Sequence, residues 1–106
     1  MIVKPFNPKW GSNQVVSATS PAALITIDGS NESVRVYNSG ATNKGYVRIY
    51  RAADYAGISA PVASAADYPI GPNMASVITK AVGDDTLSYF SAAGTTLEVM
   101  TGSEGV

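Results

Sequence analysis

Apolar and polar residues alternate in two neighbouring segments near the middle of the chain, residues 34–38 and residues 45–50. The aliphatic positions are Val34, Val36, Val47 and Ile49, and the intervening ones are Arg35, Tyr37, Tyr46, Arg48 and Tyr50. This period of two predicts two strands, each with one aliphatic face and one aromatic and basic face. The segment between them, NSGATNKG, contains two glycines, so we predict an antiparallel hairpin with a wide loop.

Five further segments are rich in β-branched or aromatic residues and are bounded by turn residues such as Pro, Gly, Asn and Asp. They are residues 14–17, 23–27, 75–81, 87–92 and 95–101. The last two are separated by AAG, which predicts a three-residue hairpin loop with Gly94 in the left-handed conformation. About seven short strands predict an all-β fold, a single antiparallel β-sandwich or barrel.

The first thirteen residues differ from the rest of the chain. Pro5 and Pro8 favour an extended course and lack backbone donors, so residues 1–13 are predicted to form an N-terminal arm beside a sandwich of residues 14–106. Phe6 and Trp10 give this arm a large apolar surface. Trp10 could cap one end of the protein's own core, or the arm could use Phe6 and Trp10 as anchors on a neighbouring subunit.

Residues 51–67, RAADYAGISAPVASAAD, contain alanines that favour a helix, but Gly57 and Pro61 interrupt it. One helical turn and a long surface loop both fit this segment.

The composition of the chain excludes several classes of functional site. The chain of 106 residues is 45% hydrophobic and 14% charged, with a net charge of −1, which is typical of a single globular domain. It contains no cysteine and no histidine, so disulfides, thiolate zinc sites and the Ser–His and Cys–His dyads are excluded. We therefore expect no enzymatic activity, no cofactor, no catalytic residue and no metal site. The first residues lack the apolar core of a signal peptide, so we expect synthesis in a cytoplasm.

Two acidic motifs could be mistaken for metal sites. GDD at residues 83–85 is similar to the magnesium-binding turn of RNA-dependent polymerases, and DGSNE at residues 28–32 offers several oxygen ligands. The first lacks the other acids of a polymerase palm, and the second lacks the spacing of an EF-hand loop. GDD is predicted to be a hairpin turn between Ala81 and Leu87, and DGSNE a turn rich in hydrogen-bonding side chains.

The segment between Glu32 and Asp54 contains four of the seven basic residues and no acidic residue. Arg35 and Arg48 would share one face of the predicted hairpin with Tyr37, Tyr46 and Tyr50. This face could be the solvent side of an edge hairpin, in which charges prevent aggregation. It could also be a protein interface, since Tyr and Arg are enriched at hot spots, or a surface on which nucleic-acid bases stack. A net acidic chain with seven cations makes nucleic acid the weakest of these interpretations.

Two stretches carry a family resemblance. VRVYNSGATNKGYVRIY at residues 34–50 and SYFSAAGTTLEVMTGSEG at residues 88–105 resemble segments of the small cement or decoration proteins, also called head-stabilisation proteins, of tailed bacteriophages. The resemblance covers about a third of the chain. It implies a jelly-roll or related β-sandwich on the outside of a capsid, often a dimer or trimer, that clamps neighbouring major capsid proteins.

The sequence thus predicts a jelly-roll-like β-sandwich with an N-terminal arm, acting as a virion structural protein at the capsid surface. The expected partners are the major capsid protein and further copies of the chain, without a membrane or nucleic acid. The candidate interface residues are Phe6, Trp10, Arg35, Tyr37, Tyr46, Arg48 and Tyr50. The alternative is a small carbohydrate-binding or receptor-binding module of a phage fibre or tail, in which exposed tyrosines and Trp10 stack on sugar rings.

Overall fold

A computed structural model describes residues 5–103, which form nine β-strands and one 3-10 helix. The strands are β1 (Asn7–Pro8), β2 (Gln14–Ala18), β3 (Ala23–Thr26), β4 (Ser33–Asn38), β5 (Gly45–Tyr50), β6 (Tyr68–Ile70), β7 (Ala75–Thr79), β8 (Thr86–Phe90) and β9 (Thr95–Ser103). All seven predicted strands are confirmed, and β1 and β6 are additional. Within residues 5–103, no helix has the length and hydrophobicity that a membrane crossing requires.

The strands pair as a long hairpin that has been folded over on itself. β2 pairs with β9, β3 with β8, β4 with β7 and β5 with β6, all antiparallel. Successive pairs alternate between two sheets, and each sheet gains one further pairing, β4 with β9 and β5 with β8. Sheet A therefore has the order β2-β9-β4-β7, with β1 also on β9, and sheet B has the order β3-β8-β5-β6. This is the strand order of a jelly roll, which confirms the predicted fold class.

The core lies between the two sheets and follows the predicted alternation. In β4, Val34 and Val36 point inward and are fully buried, while Arg35 on the same strand is exposed. The buried apolar side chains of the core are Ala18, Ile27, Val34, Val36, Val47, Ile70, Leu87, Leu97 and Val99. Both sheets thus contribute one apolar face, as sandwich packing requires.

The hairpins predicted for β4 with β5 and for β8 with β9 are both wrong. β4 lies in sheet A and β5 in sheet B, and β8 and β9 are likewise divided between the sheets. The connection after β4 crosses the end of the sandwich because it packs closely on the first residues of β9. A Cβ at Gly40 would collide with the Thr95 hydroxyl, and one at Gly45 would lie 2.9 Å from Leu97 Cδ2. The glycines of this loop therefore allow close packing rather than a hairpin turn. Gly94 does adopt the predicted left-handed conformation, with φ of +92°.

The described part of the N-terminal arm lies along the edge of sheet A. β1 pairs with the end of β9, so that Asn7 lies opposite Ser103 and Pro8 opposite Gly102. Phe6 packs where a side chain on Gly102 would otherwise be, 2.7 Å from that ideal Cβ position. Trp10 is 84% exposed, so the expectation that it caps the protein's own core is wrong.

Residues 51–67 form the turn of the folded-over hairpin and cover part of the outer face of sheet B. The segment begins with a 3-10 helix, Ala52–Tyr55, and continues without regular structure, which combines the two predicted possibilities. The amide of Ala63, which is almost completely buried, donates to Ser88 Oγ at 2.9 Å on the outer side of β8. Tyr55 packs edge-to-face on Tyr50 of β5, with ring centroids 5.4 Å apart. The chain itself therefore covers part of this outer face, while Leu24 of β3 and Arg48 of β5 stay exposed.

Candidate binding surfaces

The outer face of sheet A is not covered in the same way, and we call it the A face. Its members come from four adjacent strands and are Val15, Arg35, Tyr37, Val77, Glu98 and Met100. The strand register places Arg35 between Met100 and Val77, and Tyr37 beside Glu98. Val15 lies opposite Glu98 on the other side and is 65% exposed. The A face thus mixes apolar side chains with one cation and one anion, as protein interfaces do.

Arg35 and Tyr37 are coupled on the A face. The Arg35 guanidinium carbon lies 5.7 Å from the centroid of the Tyr37 ring, within cation–π distance. This contact stiffens both side chains in the orientation in which they face solvent. Both are residue types that dominate binding energy at interfaces.

The predicted charged and aromatic face is split between the two sides of the sandwich. Because β4 and β5 belong to different sheets, Arg35 and Tyr37 face away from Tyr46 and Arg48. The expectation that these residues share one face is therefore wrong. The interpretation as the solvent side of an edge hairpin fails as well, since β4 and β5 each lie between two other strands.

The three residues of the predicted face that lie on sheet B contact other residues of the same chain. Tyr46 packs near Phe90, with ring centroids 6.2 Å apart, and Arg48 forms an ion pair with Asp67 at 3.3 Å. Tyr50 is only 7% exposed beneath the 3-10 helix. Arg48 and Tyr50 hold residues 51–67 against sheet B, whereas Tyr46 contacts Phe90 of β8 within the sheet.

A groove opens at the edge of the sandwich where β2 and β9 of sheet A diverge from β3 of sheet B. We call it the arm groove, because residues 9–12 of the arm form one of its walls. Its volume is about 360 Å³. Trp10 lies at its rim, and Val99, Thr101 and Ile27 lie at its base. The sequence prediction included Trp10 but missed the other three residues.

An ion pair between Lys9 and Asp28 closes one end of the arm groove. Asp28 also accepts hydrogen bonds from the backbone amide and the hydroxyl of Ser30, at 2.8 and 2.6 Å. The Lys9 ammonium, and then the two Ser30 donors, hold the pKa of the Asp28 carboxyl well below its usual range. The predicted DGSN turn is confirmed, and its Asp stays ionised to bind the arm.

A second cavity, of about 450 Å³, lies at the opposite edge of the sandwich, between β5 and β7. β6 pairs only with residues 45–47 of β5, so the sheets separate beyond this point and Ile49 and Ile78 line the opening. Lys80 also lines this cavity and is only 6% exposed. Its ammonium donates long hydrogen bonds to the carbonyls of Gly29 and Ala81, at 3.5 and 3.4 Å.

Burial lowers the pKa of Lys80, although the nearby carboxylates of Asp84, Asp28 and Asp85 partly oppose this effect. A lysine whose pKa is lower in the folded state binds fewer protons there than in the unfolded chain. The charged form therefore destabilises the fold, and stability rises with pH from the folded pKa up to the unfolded value near 10.5.

We expect Lys80→Met to raise the free energy of unfolding by about 1 kcal/mol at pH 7, because it removes a buried charge with weak partners. The variant should also lose the rise of stability with pH that wild type shows as pH approaches 10. Urea unfolding between pH 6 and pH 10 measures both effects. Lys44→Met, which changes an exposed lysine, is the matched control and should follow wild type. A clear loss of stability in Lys80→Met would contradict the assignment.

The GDD segment forms a turn between β7 and β8, but these strands lie in different sheets, so the predicted hairpin turn is wrong. Gly83 has φ of +107°, and the amide of Asp84 donates to the Ala81 carbonyl at 3.1 Å. Asp85 accepts from the amide of Ala52 at 3.0 Å and from the Thr86 hydroxyl at 3.1 Å. These hydrogen bonds, with that of Ala52 first, lower the pKa of Asp85. Asp85 therefore anchors the start of residues 51–67, and residues 5–103 contain no cluster of three or more acidic metal ligands.

The chain matches no protein-family model, and a search of curated proteins found no match either. A function is therefore inferred from the fold and from the surfaces described above.

Proposed function

We propose that this protein is a non-enzymatic structural protein of a phage particle that attaches to the outside of the capsid and clamps neighbouring major capsid proteins. The observation that carries the proposal is the difference between the two outer faces of the sandwich. Residues 51–67 cover part of sheet B, while the A face is not covered by the chain and presents apolar, aromatic and charged side chains together. The resemblance of residues 34–50 and 88–105 to capsid decoration proteins supports the major capsid protein as the partner.

The A face suits attachment to a protein lattice. Its side chains project from four paired strands, so binding costs little backbone ordering. Val15, Met100 and Val77 supply apolar area, and Tyr37 supplies an aromatic anchor stiffened by Arg35. Glu98 and Arg35 would set the orientation of the partner through their opposite charges.

Attachment to a capsid would be polyvalent. We propose that the chain forms a dimer or trimer on the virion after synthesis in the host cytoplasm, because linked contacts raise the effective concentration for each further contact. The half-buried Phe6, which packs on Gly102 of its own sheet, is assigned to holding the arm on sheet A. Native mass spectrometry of the purified protein measures the number of copies in the assembly.

We expect Tyr37→Ala to weaken binding to purified capsids about 30-fold, the effect of removing a typical hot-spot side chain. Val15→Lys should weaken binding about tenfold, because it places a charge in the apolar part of the A face. Its new ammonium lies opposite Glu98, so the fold should be preserved. Quantitative co-sedimentation with capsids that lack this protein measures the affinities.

Leu24→Lys is the matched control, since Leu24 is 54% exposed on β3 of sheet B, on the other side of the molecule. It should bind capsids like wild type. If Leu24→Lys weakens binding as much as Val15→Lys does, the A face is not the attachment surface. If wild type does not bind capsids at all, the proposed function is wrong.

A further inference from the structure

We propose that the arm groove binds a neutral pyranose sugar, with the Trp10 ring stacked on the sugar and Thr101 bonded to one of its hydroxyls. The proposal concerns a different surface from the A face and does not depend on capsid attachment. It rests on three features of the groove. These are an exposed aromatic ring on a fixed turn, a buried hydroxyl without a protein partner, and a lining of polar groups with no net charge.

Trp10 is exposed but firmly placed. Residues 9–12 form a β-turn in which the Ser12 amide donates to the Lys9 carbonyl at 3.2 Å. Gly11, the third residue of this turn, has φ of +82°, as a type II turn requires, and Trp10 is the second. The Lys9 amide donates to the Thr101 carbonyl at 2.8 Å, and the Thr101 amide donates to Ser12 Oγ at 3.2 Å. The turn is therefore attached to β9 on both sides of Trp10.

Trp10 is 84% exposed on a rigid turn, so its ring is available to a partner. The face of its indole ring carries partial negative charge. The C–H bonds on one side of a pyranose carry partial positive charge and form a flat apolar patch of similar size. A sugar ring can therefore stack on Trp10 while its hydroxyls remain available to the groove.

Thr101 provides the second feature. It is only 2% exposed, it lines the groove, and its Oγ1 has no hydrogen-bond partner within residues 5–103. A buried hydroxyl without a partner destabilises a protein, so such a group needs a particular reason to be retained. The side chains of the neighbouring Val99 and Ile27 cannot supply that bond. Because the Oγ1 atom itself is buried, the Thr101 side chain must rotate towards the groove for a bound molecule to do so. A hydroxyl donates and accepts, and a sugar hydroxyl matches it in either direction.

The remaining polar groups of the groove also suit a sugar. Gln14 Nε2 donates across the groove to the Thr26 carbonyl at 2.8 Å, which joins the two sheets and fixes the amide beside Thr101. Ser12, whose Oγ accepts from the Thr101 amide at 3.2 Å, also lines the groove. Lys9, the cation of the groove lining, is neutralised by Asp28, so a phosphate or other anion gains little there. The volume of about 360 Å³ lies at the lower end of the range for small-molecule sites.

Saturation-transfer NMR of the full chain with the methyl glycosides of glucose, galactose and mannose tests the proposal, together with a glycan array. For a site that holds a single ring, we expect a Kd on the order of 1 mM for at least one of the three. Trp10→Ala should abolish the transfer, while Trp10→Phe should retain part of it. Absence of binding to all three glycosides and to the array would overturn the proposal.

Thr101→Val separates a binding role from a structural one. The substitution keeps the shape of the side chain and removes the unpaired hydroxyl, so thermal stability should be unchanged or higher. Sugar affinity should nevertheless fall at least fivefold. Unchanged affinity would overturn the assignment of Thr101, and a loss of stability would show that its hydroxyl already has a partner in the protein.

Val15→Lys keeps the two proposals distinguishable. Val15 is on the A face, outside the groove, so the variant should bind sugar like wild type while it loses capsid affinity. Conversely, Thr101→Val should attach to capsids normally. If one substitution abolishes both activities, the two surfaces are not independent and the groove proposal fails.

Discussion

Replacing Asn38 with Asp is expected to lower the free energy of unfolding by about 3–5 kcal/mol, a large part of the stability of a small domain. Asn38 is fully buried, and its side chain uses every hydrogen bond available to an amide. Its Nδ2 donates to the carbonyls of Asn43 at 2.8 Å and Ile70 at 3.0 Å. Its Oδ1 accepts from the Gly40 amide at 3.0 Å and the Thr95 hydroxyl at 2.6 Å. A carboxylate would place a negative oxygen against two carbonyl oxygens.

Urea unfolding at pH 7 measures the effect, and the dependence on pH identifies its cause. The surroundings of the new carboxyl should raise its pKa, so the unfolded chain loses the proton more readily than the folded one. Stability of the variant should therefore recover as pH falls from 7 towards 5, because a protonated carboxyl can donate to one of the two carbonyls.

Asn73→Asp is the matched control for this substitution. Asn73 is exposed with φ of +55°, a conformation that Asp also tolerates, and its backbone amide contacts the same loop through the Gly40 carbonyl. We expect a change of less than about 0.5 kcal/mol and no recovery at low pH. A loss below about 1 kcal/mol in Asn38→Asp would contradict the role of Asn38 in closing the sandwich.

Asn38 also explains why the strands could be predicted from sequence while their pairing could not. The alternation of Val34 and Val36 with Arg35 fixes which side chains share a face of β4. It contains no information about which strand lies alongside. That choice is made by contacts distant in sequence, such as those of Asn38 with Ile70 and Thr95. Without them, NSGATNKG satisfies the ordinary requirements of a wide hairpin loop.

The candidate interface could not be predicted in full for the same reason, because strand pairing decides which residues share a face. The alternation within a hairpin of β4 and β5 predicts that Tyr46, Arg48 and Tyr50 share a face with Arg35 and Tyr37, although β4 and β5 lie in opposite sheets. The jelly-roll topology separates them and leaves Arg35 and Tyr37 as the predicted members of the A face.

The sequence did contain a signal for the rest of the A face. In TTLEVMT, Leu97 and Val99 face the core, yet the next residue, Met100, is apolar and faces outward. Val15 beside Val16 in β2 shows the same departure from alternation. Apolar residues on both faces of a strand indicate that both faces have partners. Thr101 carried no such signal, because a threonine in a strand is ordinary and only the structure places this residue at the base of the groove.

Gly102→Ala is expected to detach the arm from sheet A and to lower the free energy of unfolding by about 2–3 kcal/mol. A Cβ at Gly102 would collide with the Asn7 carbonyl and would lie 2.7 Å from the Phe6 ring. Because backbone cannot yield as a flexible side chain can, β1 must leave β9. Release of β1 should also free the turn that holds Trp10 and abolish sugar binding.

Hydrogen exchange measures the detachment through the amides of residues 6–12, and the emission of Trp10, the single tryptophan, reports the turn. Gly29→Ala is the matched control, since a Cβ there meets its nearest neighbour, Asp85 Cβ, at an ordinary 3.4 Å. Gly29→Ala should lower the free energy of unfolding by less than about 1 kcal/mol and leave the arm protected from exchange.

The A face residues of β4 and β7 lie on strands that do not contact β1, so Gly102→Ala should retain most of its capsid affinity. Unchanged exchange at Asn7 and Lys9 in this variant would contradict the packing of the arm on Gly102.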